Sequence, residues 1–404
     1  MMLTGQKSKF TFVLITVFIE SVGLGIMLPV MPRLLVELGG GDIGDAAAYG
    51  GILIFVYALM QFIFAPLLGR LSDHFGRRPI ILLAMLIFAF NNLMMTIATS
   101  ITWLLVARTI SGIAGATSAV ANTVAFDISS REKRAETLGM ISAAGFIGVF
   151  AGPVMGGFLV DFGSRMPFLV SAVLALANFL FGLIVLPETL KPENRRQFTF
   201  KITRPVGQLF KFEQIGFMLP LLFAYFILSF AYDTNFSVLG YYTMEKYLWT
   251  ERQLGYFLSF LSGMLVLIQG LIIKIAVPRL GEKRVIIWGM ILNIVGFTGF
   301  AFAPNGWALI LFSVPFCVGC LAAPAFYSLL SQKTPNDQQG ALNGNMNSMA
   351  AASGVLSPLI MTQTFKYFTS EKAVIYFPGF PFLVAAVCIV LALLFTVVNF
   401  KRSY

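Results

Sequence analysis

"GRLSDHFGRRPIILL", residues 69–83, puts one aspartate, three arginines and the chain's single histidine, His74, between two charge-free apolar runs. The runs on either side, 46–69 and 79–98, are each about 20 residues long, the length at which an apolar helix crosses the hydrocarbon of a bilayer. A glycine-punctuated charged segment between two such runs reads as a turn at a membrane surface. The chain therefore continues as membrane helices on both sides.

The whole composition agrees. Of 404 residues 58% are apolar and 11% charged, with a mean hydropathy of +0.84, far too little charge to cover a soluble protein of this size. Twelve helices are predicted, near 9–30, 46–69, 79–98, 102–126, 136–160, 166–187, 215–242, 253–276, 284–303, 306–330, 339–365 and 378–400. The first run holds a glutamate and no small-residue cleavage site, which favours a retained helix over a signal peptide.

A net charge of +10 and a pI near 9.6 raise the question of a nucleic-acid partner. With both termini placed in the cytoplasm, 21 of the 28 Lys and Arg residues fall in cytoplasmic segments, six outside, and one, Arg108, inside a helix. That is the positive-inside asymmetry of a membrane protein, and it accounts for the basic pI without nucleic acid. Cys317, Cys320 and Cys388 all lie in apolar runs with no histidine near, so they read as packing residues rather than a metal or redox site. No cofactor or metal ion is expected.

The segment 188–213 is the one long polar loop, with six basic and three acidic residues, and it divides the chain into predicted six-helix bundles at 1–187 and 214–404. A constant shift of 205 relates the halves. It carries Gly76 to Gly281, Gly139 to Gly344, Gly148 to Ser353, Gly152 to Ser357 and Pro153 to Pro358. Duplicated bundles of this kind are a transporter architecture.

With these residues in view, the chain resembles the major facilitator superfamily, and within it the tetracycline/proton antiporters among the drug exporters. The likeness rests on the opening turn and on "GLGIMLPVMPRLL" (23–35), "YALMQFIFAPLLGRLSDHFGRRP" (57–79), "ARTISGIAGATSAVA" (107–121), "AGPVMGGF" (151–158) and "QQGALNG" (338–344). It implies an all-α integral membrane fold of twelve helices in two pseudo-symmetric bundles, acting as a monomer by alternating access, in a bacterial inner membrane. It also implies that Asp73 lies near the amino end of the eleventh helix, around Gln339, and latches the halves together with Arg77 and Arg78.

Two motifs have a direct physical reading. Gly69 and Gly76 are expected to supply the left-handed backbone or close approach that a tight reversal needs. Gly148, Gly152 and Gly156, with Gly157 beside them, clear one stripe of a helix for close approach of another, and Pro153 removes a backbone donor.

Three ionisable residues sit well inside predicted spans: Glu20, Arg108 and Asp233. Buried charge in a membrane is costly and marks function by default. At about 1.5 Å per residue, Glu20 and Arg108 come within several ångströms of one level, close enough to pair. Glu20 and Asp233 are candidate proton carriers; Arg108, which cannot release a proton, is assigned to electrostatic control of Glu20. Tyr57 and Gln61, one turn apart on one helix face, are candidate cavity residues together with Tyr232, Asn235, Phe326 and Tyr327. Asn91 and Asn293 join them, standing where the resemblance implies aspartates in tetracycline exporters. An amide there binds neither a proton nor a metal chelate as an anion, which puts tetracycline itself in doubt as substrate.

The resulting expectation is a proton-coupled antiporter that exports small amphipathic organic molecules. Export of an endogenous metabolite such as a siderophore, and proton-coupled import, are the alternatives. An enzyme is not expected. The match of "GGGDIG" (39–44) to a dinucleotide-binding pattern falls in a loop between membrane helices with no strand before it, and no phosphate-binding loop for ATP is present.

Overall fold

A computed structural model describes residues 2–115, 124, 134–190, 193, 195, 219–335 and 338–402. The second part of the predicted fourth helix and most of the 188–213 loop lie outside the described residues. The helices are α1 (Met2–Glu37), α2 (Ile43–Phe75), α3 (Arg77–Ile97), α4 (Ile101–Ala114), α5 (Arg134–Leu159), α6 (Met166–Val185), α7 (Leu219–Tyr247), α8 (Glu251–Leu280), α9 (Glu282–Phe302), α10 (Gly306–Lys333), α11 (Gln339–Thr369) and α12 (Phe380–Arg402). Ten of these are long and apolar enough to span a membrane; the described part of α4 is shorter, and α11 is richer in polar residues. An all-helical fold follows from the solvent, because hydrocarbon offers no partner for backbone N–H and C=O groups and a helix satisfies them within itself.

The chain divides into two compact units. One comprises Met1–Gly39, Val56–Thr203 and Glu251–Ser259; the other comprises Gly40–Phe55, Arg204–Thr250 and Phe260–Tyr404. The first turns of α2 thus pack with the later helices, and the first turns of α8 with the earlier ones.

In the first unit α1 and α5 make the closest pairing. The space that a side chain at Gly148, Gly152 or Gly156 would need is filled by the α1 backbone: Phe18 O at 2.6 Å, Val22 O at 2.7 Å and Ile26 O at 2.7 Å respectively. A second apolar cluster joins Phe12, Val13 and Val17 of α1 to Ile80, Ile81 and Met85 of α3. The second unit is held by rings: Tyr242, Phe297, Phe300, Phe316 and Phe382 bring α7, α9, α10 and α12 together, and the Tyr242 hydroxyl donates to Phe300 O at 2.6 Å.

Gly76 and Gly281, related by the 205 shift, do the same work. Each has a positive φ, +107° and +77°, and each immediately precedes a helix, α3 and α9. Gly69 does not belong with them. The second helix runs on to Phe75, six residues past its predicted end, so Gly69 is an ordinary helical residue with no atom near the place of its missing side chain. The reversal is made at Gly76 alone.

Candidate functional site

The charged turn is built from its own residues. Asp73 Oδ1 lies 2.6 Å from Arg77 Nη1, and the same nitrogen donates to Ser72 Oγ at 3.1 Å. Arg78 reaches away from this pair and donates to Leu183 O of α6 at 2.8 Å. The sequence reading missed Glu188, taken there only as the start of a loop. Its carboxylate accepts from the backbone N–H of Arg77 (2.9 Å), Arg78 (3.3 Å) and Leu190 (2.9 Å), so it caps the amino end of α3 and favours the helix dipole. The available signal was an acid just past an apolar helix, facing the only three-arginine turn in the chain. Glu188→Ala is expected to cost about 1 kcal/mol, read as a lower melting midpoint of the purified protein. An unchanged midpoint removes the capping role.

The glycine stripe meets α1 as described above, and the residues beside it meet α8. The place of a Gly157 side chain is 3.1 Å from Arg252 Cα, that of Gly255 is 2.5 Å from Pro153 O, and Ser259 donates to Phe150 O at 3.0 Å. Pro153 leaves its helix continuous while α5 is gripped on two sides.

The ionisable residues inside the first unit converge. Glu20 lines a narrow cleft between α1, α3 and α6, with Thr16, Met85, Phe88 and Asn178 among its walls. Asn178 donates to Thr16 Oγ1 at 3.1 Å. Tyr57 of α2 is within electrostatic reach of both Glu20 and Arg108, and the Arg108 guanidinium stands 5.6 Å from the centre of its ring. That is cation–π range. Buried Arg108 also contacts the Met27 sulfur. The backbone places these groups: Gly112, one turn after Arg108 on α4, has no room for a side chain because Tyr57 O is 2.6 Å from where it would begin. Gln61, one turn along α2, donates to Gly115 O. Asn91 is buried on α3, and its amide oxygen has no hydrogen-bond partner among the described residues.

In the second unit Asp233 of α7 accepts from Ser353 Oγ of α11 at 2.7 Å. Its neighbour Tyr232 accepts from Asn293 Nδ2 at 2.6 Å and donates to Gly319 O at 3.4 Å. Gly319 ends the first segment of α10, so this amide and phenol stitch three helices where one is broken. Asn235 is buried with both amide atoms unpartnered among the described residues. Phe326 is wholly buried with its ring against Tyr225, and Tyr327 is exposed and hydrogen-bonded to Asn343.

Ion pairs at helix ends were not anticipated. In the first unit Arg252 meets Asp161 at 3.0 Å, and Arg33 lies 3.9 Å from Glu251. In the second, Lys366 meets Asp45 at 2.8 Å. The Arg252–Asp161 and Lys366–Asp45 pairs are exposed and contribute little to stability, whereas Glu251 is mostly covered; each pair joins segments from different halves of the sequence. Arg33, Arg252 and Lys366 are among the six basic residues that the charge asymmetry predicts to lie on the outer side.

Among the described residues twelve helices, ten of them apolar and long, carrying the buried Arg108 guanidinium and the half-buried carboxyls of Glu20 and Asp233, define a membrane protein. The major facilitator superfamily model matches residues 13–358 and, again, residues 221–403, so the chain belongs to that family. It is 34% identical over 360 residues to the class C tetracycline resistance protein of Escherichia coli, covering 88% of this chain and 90% of that one. It is 30% identical to multidrug resistance protein 2 of Bacillus subtilis, covering 88% of each. Among solved structures the nucleoside transporter NupG superposes with a TM-score of 0.75 at 15% identity, covering 98% of this chain and 99% of that one. The fold and relatives are those of transporters.

Proposed function

We propose that the protein is a proton-coupled antiporter that exports small amphipathic organic molecules from a bacterial cytoplasm, with both termini inside. One observation carries the reading: a carboxyl group, Glu20, held in a helix interior beside a cleft, with a fixed cation, Arg108, acting on the same phenol. A carboxyl so placed can take up and release a proton, and the guanidinium that shares Tyr57 with it is a charge that never leaves. The drug-resistance names of the relatives support the export direction. Asp233 is the second proton carrier, and the Gly76 turn and the Gly148–Gly157 stripe control which side is open, as two six-helix halves alternate. The pairs Arg252–Asp161 and Lys366–Asp45 would hold the outer ends together while the cavity faces inward. Asn91 and Asn293 are neutral, which argues against a metal–tetracycline chelate as the substrate.

The test is transport by the purified protein in proteoliposomes, with ethidium as probe and an imposed pH gradient. Uphill accumulation that follows the gradient and collapses with a protonophore is expected. Accumulation driven by ATP without a gradient would overturn the class.

A further inference from the structure

We propose that Ser353 is a positioning residue that reads the protonation state of Asp233 and passes it to α11. The inference rests on the reading of Asp233 as a group that gains and loses a proton during transport.

Ser353 is fully buried, and its hydroxyl oxygen has two acceptors at hydrogen-bond distance: Asp233 Oδ2 at 2.7 Å and Ala350 O, in its own helix, at 2.8 Å. A hydroxyl has one hydrogen to give, while an ionised carboxylate only accepts. With Asp233 ionised, the charge-assisted bond across to α7 is the stronger and takes that hydrogen. With Asp233 protonated, its own O–H becomes the donor to Ser353 Oγ, and the serine hydrogen turns to Ala350 O. No proton leaves the serine; the hydroxyl only rotates. Back-bonding of a serine to its own helix bends that helix. One turn further on, Ser357 donates across to Phe230 O at 2.8 Å and is followed by Pro358, where α11 lacks a backbone donor. The signal thus enters α11 next to its weakest point.

The duplicated sequence argues that this hydroxyl is not required for packing. The position related to Ser353 by the 205 shift is Gly148, which packs α5 on α1 with no side chain at all. The surroundings leave Asp233 and Ser353 to each other. Among the helices packed on α7, the charged residues lie near helix ends: Asp45 at the start of α2, Glu282, Lys283 and Arg284 at the start of α9, Lys333 on α10, Lys366 on α11, and Lys401 and Arg402 on α12, with Glu245 and Lys246 at the end of α7 itself. Tyr225, on α7 itself, is the titratable side chain within electrostatic reach.

The experiment combines infrared difference spectra, recorded on an acid–base jump of the reconstituted protein, with ethidium flux for Ser353→Ala, Ser353→Thr and Asp233→Asn. The carboxyl band that disappears in Asp233→Asn should shift in Ser353→Ala and return in Ser353→Thr. Gradient-driven flux should fall about tenfold in Ser353→Ala, the scale of one hydrogen bond to a charged group, and recover in Ser353→Thr. Ethidium exchange without a gradient should stay within about twofold of the parent. A band that depends on Asp233 but does not move in Ser353→Ala, or full gradient-driven flux in that variant, overturns the role of Ser353 alone. Full gradient-driven flux in Asp233→Asn overturns the coupling reading beneath it.

Discussion

Proteoliposomes carrying Glu20→Gln are expected to lose gradient-driven accumulation altogether while still exchanging ethidium across the membrane without a gradient. The amide has the shape of the acid but cannot bind and release a proton. One proton exchanged per substrate across about two pH units supports roughly a hundredfold accumulation, because each unit of pH is worth about 1.4 kcal/mol. Without the proton carried at Glu20, and with Asp233 unable to complete the exchange alone, that ratio falls to about one. The variant keeps the surroundings of the site: Tyr57 remains under Arg108, and the contact between the Tyr57 backbone and Gly112 does not involve Glu20. Glu20→Asp, shorter by one methylene but still an acid, should keep coupling. Retained uphill accumulation in Glu20→Gln would remove Glu20 from the mechanism.

The second large effect concerns packing. Gly152→Leu is expected to destabilise the protein by about 3 kcal/mol or more, the upper range for forcing extra carbons into a filled interior. The first of those carbons would lie 2.7 Å from both Gly25 Cα and Val22 O. Both are backbone atoms of α1, so no side-chain rotation relieves the clash and the two helices must part. Their association depends on close van der Waals contact, since lipid is as apolar as the helices themselves. Gly139→Leu, on the same helix with no atom within 4 Å of the new carbon, is the control and should be silent. Melting midpoints and yields of the two purified variants decide the matter. Equal midpoints would show that the stripe is not a contact surface.

Much of this protein was legible in the chain. The apolar runs, the charge asymmetry and the 205 shift announced twelve membrane helices in duplicate, because hydropathy and helix length act over twenty neighbouring residues and need no tertiary information. Gly76, Gly148, Gly152 and Gly156 were readable for the same reason, their spacing being a local property. The positions of Glu20, Arg108 and Asp233 within helices were readable too, since charge stands out against hydrocarbon, while their part in coupling is a proposal.

Partners were another matter. Nothing in the order of residues says that Glu188 caps the helix beginning at Arg77, that Tyr57 stands before Arg108, or that Ser353 rather than a basic group faces Asp233. Each pairing joins positions about fifty to well over a hundred residues apart, and a shift of one residue along a helix turns a side chain by about 100°. Gly69 shows the converse error: a motif residue assigned to the turn by its letter lies within a helix that continues for six more residues. Local chemistry determined where helices and charges had to be. Which side chains share a hydrogen was decided by how those helices lean on one another, through backbone contacts that only a three-dimensional arrangement contains.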